Sequence, residues 1–351
     1  ILCLTFTRAA AAEMSLRVSS TLGNWTTLPK ESLESVLSDI LRREPTIEEF
    51  TRARLLFAHV LDSSGGVKIL TIHSFCQSLL SRFPLEAGLS PNFWVADERT
   101  TQELVREAEG RLLHLVQLGT DKKLSGAFKI ITGRIGEYGF SKLMAELVGS
   151  RQKIFDIDSG ADIEERIIDK IANLLGIRKQ ECRETIIADA CSEGAFARTE
   201  LEKISGHMKL GGKSDKVSGN MISDWLGKDI TSRIDDYISY QNVFLTKDGK
   251  PRARLISKAL VQDYPDTEDI LRREQRRLEI LSERVKSAIV LENSKALAYL
   301  GLRMLKCFQA EKDLYSLLDY EDQIIKTYHL LSKDDAASWV LYKLDGGIDH
   351  I

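Results

Sequence analysis

The sequence has few of the residues that interrupt regular structure, since its 351 residues include only 6 prolines and 23 glycines. This scarcity of turn-forming residues favours helix. No apolar run approaches the roughly 18 residues that a membrane-spanning helix needs, and no segment has the pattern of a signal peptide. The formal net charge of −3 excludes a globally basic nucleic-acid binder, although a local basic stripe remains compatible with it. With 43% hydrophobic residues, the chain can bury a core, and its length suggests about two domains.

Cysteine is also sparse. The five cysteines are odd in number, widely spaced and contain no Cys-x-x-Cys pair. This pattern argues against a zinc site or a disulfide framework and favours a reducing, cytoplasmic compartment. Each cysteine is interpreted as a small buried hydrophobic residue.

The common catalytic motifs are missing, because the chain has no Gly-x-Ser-x-Gly, His-Glu-x-x-His, Gly-x-Gly-x-x-Gly or complete phosphate loop. The segment 211–214, Gly-Gly-Lys-Ser, resembles the end of a phosphate loop but follows no predicted strand, so we interpret it as a surface loop. Asp319, Glu321 and Asp322 precede a predicted helix, whose dipole suits carboxylates. No histidine supports a metal site there, so neither catalytic residues nor metal ligands are predicted.

Apolar runs and helical periodicity predict the order of the elements. The first residues, 1–7, and residues 67–72 are predicted to be buried parallel strands, and 93–96 a short strand. Leu271, Leu278 and Leu281 lie on one apolar stripe of the clearest helix, 267–291. The other predicted helices are 8–20, 31–43, 47–61 with a Thr46–Glu49 capping box, 74–82, and most of 98–312. A break is predicted at 23–29, a Gly/Ser-rich mobile loop at 205–220, and an Asp-Gly hairpin at 242–256.

The two ends of the sequence have the character of strands. The chain begins on an apolar strand without a starting Met, and it stops after a glycine turn at what resembles the first residues of another strand. We expect a fragment of a longer protein, and a natural chain with frayed ends remains the alternative.

Polar and aromatic residues follow the first two long strands, each at the point where a strand runs into a helix. Ligands bind at this edge of an α/β sheet, and helix N-termini suit phosphates. An aromatic ring beside them can stack on a base. The candidate contacts to a nucleic-acid strand are Thr5, Phe6, Thr7, Arg8, Thr71, His73, Ser74 and Phe75. Taken alone, a histidine such as His73 is more often structural, and a phenylalanine such as Phe75 more often belongs to the core.

These two segments resemble motifs of superfamily 1 DNA helicases of the UvrD/Rep type. The first reads Thr-Phe-Thr-Arg-Ala-Ala-Ala-Ala-Glu-Met from Thr5, and the second reads Thr-Ile-His-Ser-Phe-Cys-Gln from Thr71. Both are most similar to the AddA type, the helicase–nuclease subunit of a double-strand-break repair complex. The resemblance is specific in residues 1–15 and 67–96, moderate in 242–258 and 313–351, and looser elsewhere. Many relatives have Asn-Lys where this chain has Arg8-Ala9.

The resemblance implies a mainly α protein with a partial α/β motor. An incomplete RecA-like parallel sheet (1–97 and 313–351) would carry a large helical insertion (98–312) with one small hairpin. It further implies ATP and magnesium as cofactors of the parent protein, single-stranded and duplex DNA as substrates, and an AddB-like partner subunit. Because the phosphate loop and the Asp-Glu magnesium pair of the family are absent from this sequence, we expect this chain to bind no cofactor and to hydrolyse no ATP alone.

The segment around the predicted hairpin is basic. Within 247–258 a single acidic residue, Asp248, is outnumbered by Lys247, Lys250, Arg252, Arg254 and Lys258. Such a stripe can neutralise duplex phosphates, and an ordinary solvated turn is the equally weighted alternative. A second hypothesis for the whole chain is a non-enzymatic helical module that docks a partner subunit, which its acidic net charge mildly favours.

Overall fold

A computed structural model of the chain describes residues 1–62, 67–157, 162–332, 334–344 and 350–351. The strands are β1 (Leu2–Thr5), β2 (Lys68–Thr71), β3 (Trp94–Val95) and β4 (Leu317–Leu318). The helices are α1 (Arg8–Thr27), α2 (Lys30–Leu41), α3 (Ile47–Asp62), α4 (Ile72–Arg82), α5 (Glu98–Leu118), α6 (Lys122–Gly149), α7 (Arg151–Ile157), α8 (Ile163–Leu175), α9 (Arg183–Cys191), α10 (Arg198–Leu210), α11 (Lys213–Leu226), α12 (Ile230–Asp235), α13 (Tyr237–Phe244), α14 (Lys258–Asp263), α15 (Asp266–Leu314), α16 (Tyr320–Ser332) and α17 (Asp334–Leu344). The expectation of a mainly α protein is confirmed, and the described strands form two small parallel sheets.

The chain divides into two compact units. The first unit comprises 1–106 and 309–351, and the second comprises 107–308. The assignment of these parts to a RecA-like motor (1–97 and 313–351) and an insertion (98–312) stays a prediction.

Parallel strand pairs organise the first unit. β1 pairs with β2 in a register that sets Leu2 opposite Lys68 and Thr5 opposite Thr71. On the other side of β1, the Leu2 N–H donates to the His350 carbonyl at 2.9 Å. β3 pairs with β4, also in parallel. A buried cluster contains residues of α4, its C-cap, β4, α16 and α17: Leu79, Leu80, Phe83, Leu318, Leu330 and Val340.

Three helices follow β1 and pack around a small core of Leu33, Leu37 and Ala53. The predicted break at 23–29 is wrong for its first part, because α1 continues to Thr27 and ends only before Pro29. Proline disfavours a helical conformation in the residue before it, whereas a single glycine at position 23 costs only about 1 kcal/mol. The predicted capping box is confirmed, since Thr46 and Glu49 exchange hydrogen bonds of 2.8 and 3.2 Å.

The second unit is helical, and its main core lies along α15. The predicted loop at 205–220 is wrong, because α10 and α11 cover it apart from Gly211 and Gly212. Gly219 lies inside α11, where a Cβ would come within 2.8 Å of the Met208 Cβ. The absence of a side chain at Gly219 therefore permits close packing of α10 and α11, although the glycine and serine content of residues 205–220 suggested a loop.

The predicted hairpin at 242–256 is largely wrong. Residues up to Phe244 belong to α13, and the structure describes only one antiparallel bridge, between Leu245 and Pro251. The turn itself is present, since the Thr246 N–H donates to the Lys250 carbonyl at 2.8 Å. Gly249 has a φ of +80°, which explains glycine at this position. The helix extends through Phe244 because that ring is fully buried in the core of this unit.

A buried polar network lies inside this core. The Tyr240 hydroxyl donates to the Glu274 carboxylate at 2.8 Å, and Arg277 donates to both oxygens of the same carboxylate. The neighbouring Tyr237 hydroxyl is also buried, but it has no hydrogen-bond partner among the described residues. Burial raises the pKa of Tyr237 to about 12, so this hydroxyl stays neutral at physiological pH.

The two tyrosines should respond differently to replacement by phenylalanine. We expect Tyr240→Phe to lower the free energy of unfolding by about 1.5–3 kcal/mol, because it removes a hydrogen bond to a charged group. Tyr237→Phe should leave that free energy unchanged or raise it by about 1 kcal/mol, because it removes a buried hydroxyl without a partner. Urea unfolding measures the free energy of unfolding of both variants. An equal loss in the two variants would contradict the finding that only the Tyr240 hydroxyl has a hydrogen-bond partner among the described residues.

Candidate nucleic-acid interface

Two helices of the first unit begin side by side at one edge of a sheet. Thr5 and Thr71 are the last residues of β1 and β2, and they are partners in the parallel register. Both threonines are buried. The segments that follow them, at the starts of α1 and α4, are consequently neighbours, as expected for the carboxyl edge of a parallel sheet.

The start of α1 leaves one aromatic ring in solvent. The Thr7 hydroxyl accepts from the Ala10 N–H at 3.1 Å and so caps the helix. The Thr5 hydroxyl donates to the Thr7 carbonyl at 3.0 Å, which holds the backbone between them. Phe6, between these two threonines, is 85% exposed, and Arg8 is exposed on the first turn. The tight backbone thus presents an aromatic side chain and a cation next to a helix N-terminus.

The start of α4 is capped in the same way. The Thr71 hydroxyl accepts from the Ser74 N–H at 3.1 Å and lies 2.8 Å from the Ser74 hydroxyl. Both predicted hydroxyl contacts of this segment are therefore engaged in the cap. Phe75 packs against the buried cluster of Leu79 and Phe83, which places it with the core. Of the two candidate stacking rings, Phe6 is exposed and Phe75 is half-buried.

Tyr320 is a candidate residue that the sequence reasoning missed. The His73 ring lies 5.1 Å from the Tyr320 ring, centroid to centroid, at an interplanar angle of 68°. Tyr320 is 48% exposed. The available signal was an aromatic residue just after a short apolar strand, since Tyr320 follows β4 much as Phe6 follows β1.

The start of α16, where Tyr320 lies, is tied by buried charges. The Asp322 N–H donates to Asp319 at 2.9 Å, and the Asp319 N–H donates to Asp322 at 3.2 Å. The fully buried Lys312 ammonium is 2.5 Å from Asp322 and 3.5 Å from Asp319. Asp319 and Asp322, which the sequence pattern assigned to a helix start, therefore form a reciprocal cap, and Lys312 contacts both carboxylates.

The basic turn, residues 245–258, belongs to the second unit. Its five cations are all exposed: Lys247, Lys250, Arg252, Arg254 and Lys258. None of these side chains forms a salt bridge with an acidic residue in the described ranges. Nε of Arg252 donates to the Asn242 and Leu245 carbonyls, and Nε of Arg254 donates to the Ile256 carbonyl. The two arginine side chains therefore lie along the backbone, whereas hydrogen bonds of this kind do not restrain the lysines.

Side chains of α15 hold the basic turn in place through hydrogen bonds to its backbone. The Arg272 guanidinium donates to the Arg252 and Ala253 carbonyls, and the Gln275 amide donates to the Phe244 and Arg252 carbonyls. A Cβ at Gly249 would lie 2.9 Å from the Ser282 hydroxyl. The turn is thus held against a long helix and presents its lysines on a defined surface.

The residues that resembled a phosphate loop do not fit a nucleotide phosphate. Gly211 and Gly212 connect α10 to α11, and the Gly212 N–H donates to the Asp215 carboxylate at 3.1 Å. The same carboxylate accepts from the Ser257 N–H and hydroxyl, so a negative charge already fills the site. Within the described ranges, no three His, Cys, Asp or Glu side chains come together as metal ligands. No helix there is long and apolar enough to cross a membrane.

Comparison with known proteins gives one family and several relatives. The family model of the UvrD/REP helicase N-terminal domain matches residues 1–351. The chain is 32% identical over 118 residues to an ATP-dependent helicase/nuclease subunit of Lactobacillus johnsonii, over 34% of this chain and 8% of the relative. It is 36% identical over 107 residues to a protein of the same name from Desulforudis audaxviator, over 30% of this chain and 7% of the relative. The chain thus matches less than a tenth of the length of these curated relatives.

Proposed function

Because the chain belongs to the UvrD/REP helicase N-terminal domain family, we propose that it is part of an ATP-dependent DNA helicase of the AddA kind that serves double-strand-break repair. In this proposal the first unit is a RecA-like motor segment that grips single-stranded DNA. The second unit is an insertion that contacts duplex DNA through the basic turn. ATP, magnesium, a cytoplasmic location and an AddB-like partner subunit belong to the proposal for the whole protein.

The observation that carries the proposal is the register of β1 with β2. It sets two capped helix N-termini next to each other, with Phe6 and Arg8 exposed beside one of them. N–H groups at a helix start attract phosphate oxygens, and the positive end of the dipole strengthens this attraction.

Aromatic rings supply the second kind of contact to the strand, in addition to the phosphate contacts at the helix starts. Base–aromatic stacking is worth about 1–3 kcal/mol per base and tolerates any base sequence. Phe6 offers a free ring, and the pair of His73 with the half-exposed Tyr320 offers a second platform. Phosphates at the helix starts and bases on the rings fit a strand that a motor moves along without reading its sequence.

Titration with labelled oligonucleotides tests the proposal. We expect the chain to bind oligothymidylate, and for about three phosphate contacts the affinity should fall about tenfold or more between about 50 and 200 mM salt. Fluorescence anisotropy with single-stranded, forked and duplex oligonucleotides measures the affinity for each at the two salt concentrations. Binding that is absent at low salt, or that ignores salt, would contradict the proposal and would favour a module that docks a protein partner.

A further inference from the structure

A buried lysine near the end of α15 has no role in the contacts proposed above. Lys312 is 0% exposed, and its ammonium lies 2.5 Å from the Asp322 carboxylate and 3.5 Å from the Asp319 carboxylate. Burying a charge in the interior is costly unless the charge is paired. Replacing such a pair by apolar residues often stabilises a protein, so stability alone is a weak reason for it.

The partners of Lys312 form the cap of α16. Asp319 accepts from the Asp322 N–H, and Asp322 accepts from the Asp319 N–H. Each carboxylate can point in several directions, and only one of them completes the cap. Because Lys312 attracts both carboxylates from the buried side, it holds this reciprocal arrangement in place.

Tyr320 is the first residue of the capped helix and lies between the two capping residues. Its ring meets the His73 ring at 5.1 Å, while half of the side chain remains in solvent. A change in the first turn of α16 would therefore alter how the Tyr320 ring meets His73. The cap fixes this turn, and Lys312 contacts both carboxylates of the cap.

We propose that Lys312 is a positioning residue for the contact of His73 and Tyr320 with a single-stranded nucleic acid. It acts through the cap formed by Asp319 and Asp322 and does not touch the strand. This inference rests on the proposed function, because it names the group that keeps one part of that site in its binding geometry.

A double-mutant cycle with Tyr320 tests this role, with binding of labelled oligothymidylate to the full chain as the measurement. Lys312→Met keeps the length of the side chain and removes its charge. We expect it to weaken binding by at most the loss that Tyr320→Ala causes, about fivefold to a hundredfold. In the Tyr320→Ala background, Lys312→Met should have no further effect, because the group that it positions is already gone.

A second variant separates positioning from loss of stability. Lys312→Met removes the cation between two buried carboxylates, whereas the double variant Lys312→Met, Asp322→Asn also removes one of these carboxylate charges. The asparagine oxygen can still accept from the Asp319 N–H, but without the lysine no cation directs the side chain into the orientation that completes the cap. We expect binding to stay weakened in this double variant. The exposed Lys306 provides the control, since Lys306→Met should change the affinity by less than about twofold.

The outcomes distinguish the two proposals. Wild-type protein that binds no oligothymidylate would overturn the proposed function, and this inference with it. Wild-type binding overturns the inference alone if Lys312→Met has no effect, or if its effect is equally large in the Tyr320→Ala background. Restoration of wild-type affinity by adding Asp322→Asn would also overturn it, because the loss would then reflect only the altered balance of buried charge.

Discussion

Replacing Phe6 and Tyr320 together by alanine is expected to lower the affinity for oligothymidylate by about thirtyfold or more, since each stacked base contributes about 1–3 kcal/mol. The fold should tolerate both changes, because Phe6 is 85% and Tyr320 48% exposed. Each single variant should show part of the loss. Fluorescence anisotropy at low salt measures the affinities, and thermal unfolding verifies that the melting temperature is unchanged.

Tyr328 provides the matched control for this prediction. It lies on the same helix as Tyr320, two turns further on, and is 67% exposed, but no contact joins it to His73 among the described residues. Tyr328→Ala should leave the affinity within about twofold of the wild type, as an exposed change away from the site should. If Tyr328→Ala weakened binding as much as the double variant, the contacts to the nucleic acid would not lie at the carboxyl ends of the strands β1 and β2.

Removal of three lysines from the basic turn should produce the largest change in duplex binding. With Lys247, Lys250 and Lys258 replaced by alanine, the slope of log affinity against log salt should become shallower by about 0.9 for each lost phosphate contact. Three lost contacts would lower the affinity by two to three orders of magnitude at about 50 mM salt. Arg252 and Arg254 are left in place, because their hydrogen bonds to carbonyls support the turn. Duplex titration at several salt concentrations measures this slope.

A second triple variant controls for the change in net charge. Lys129, Lys203 and Lys216 are exposed lysines of the same unit outside the basic turn. Their replacement by alanine removes the same number of charges, and we expect a much smaller change of slope. Similar slopes for the two triple variants would show that net charge alone governs duplex binding, and an unchanged slope in the first variant would identify the segment as a solvated turn.

Local signals predicted the edges of the candidate site well. The apolar runs before Thr5 and Thr71 predicted the parallel strands, and the residues after them predicted the helix starts. These features depend on residues within about four positions of one another, as caps do. The contact of His73 with Tyr320 joins residues 247 positions apart, so no local pattern could indicate it.

The errors also have physical reasons. Glycine and serine at 205–220 predicted a loop, but Gly219 serves the packing of α11 on α10. Asp-Gly at 248–249 correctly predicted a turn, whereas the flanking strands were wrong because burial of Phe244 favours helix up to that residue. In both cases tertiary packing overrode the preference that the local composition suggested.

Helices cross both divisions between the two units. α5 runs through the division at 106–107, and α15 runs through the one at 308–309. A protease needs an extended, locally unfolded segment, and neither crossing offers a loop. Excision of the second unit for separate expression would therefore cut two helices and leave new ends with unpaired N–H and carbonyl groups. Dissection of this chain is better done by substitutions within the intact protein than by truncation at the unit boundaries.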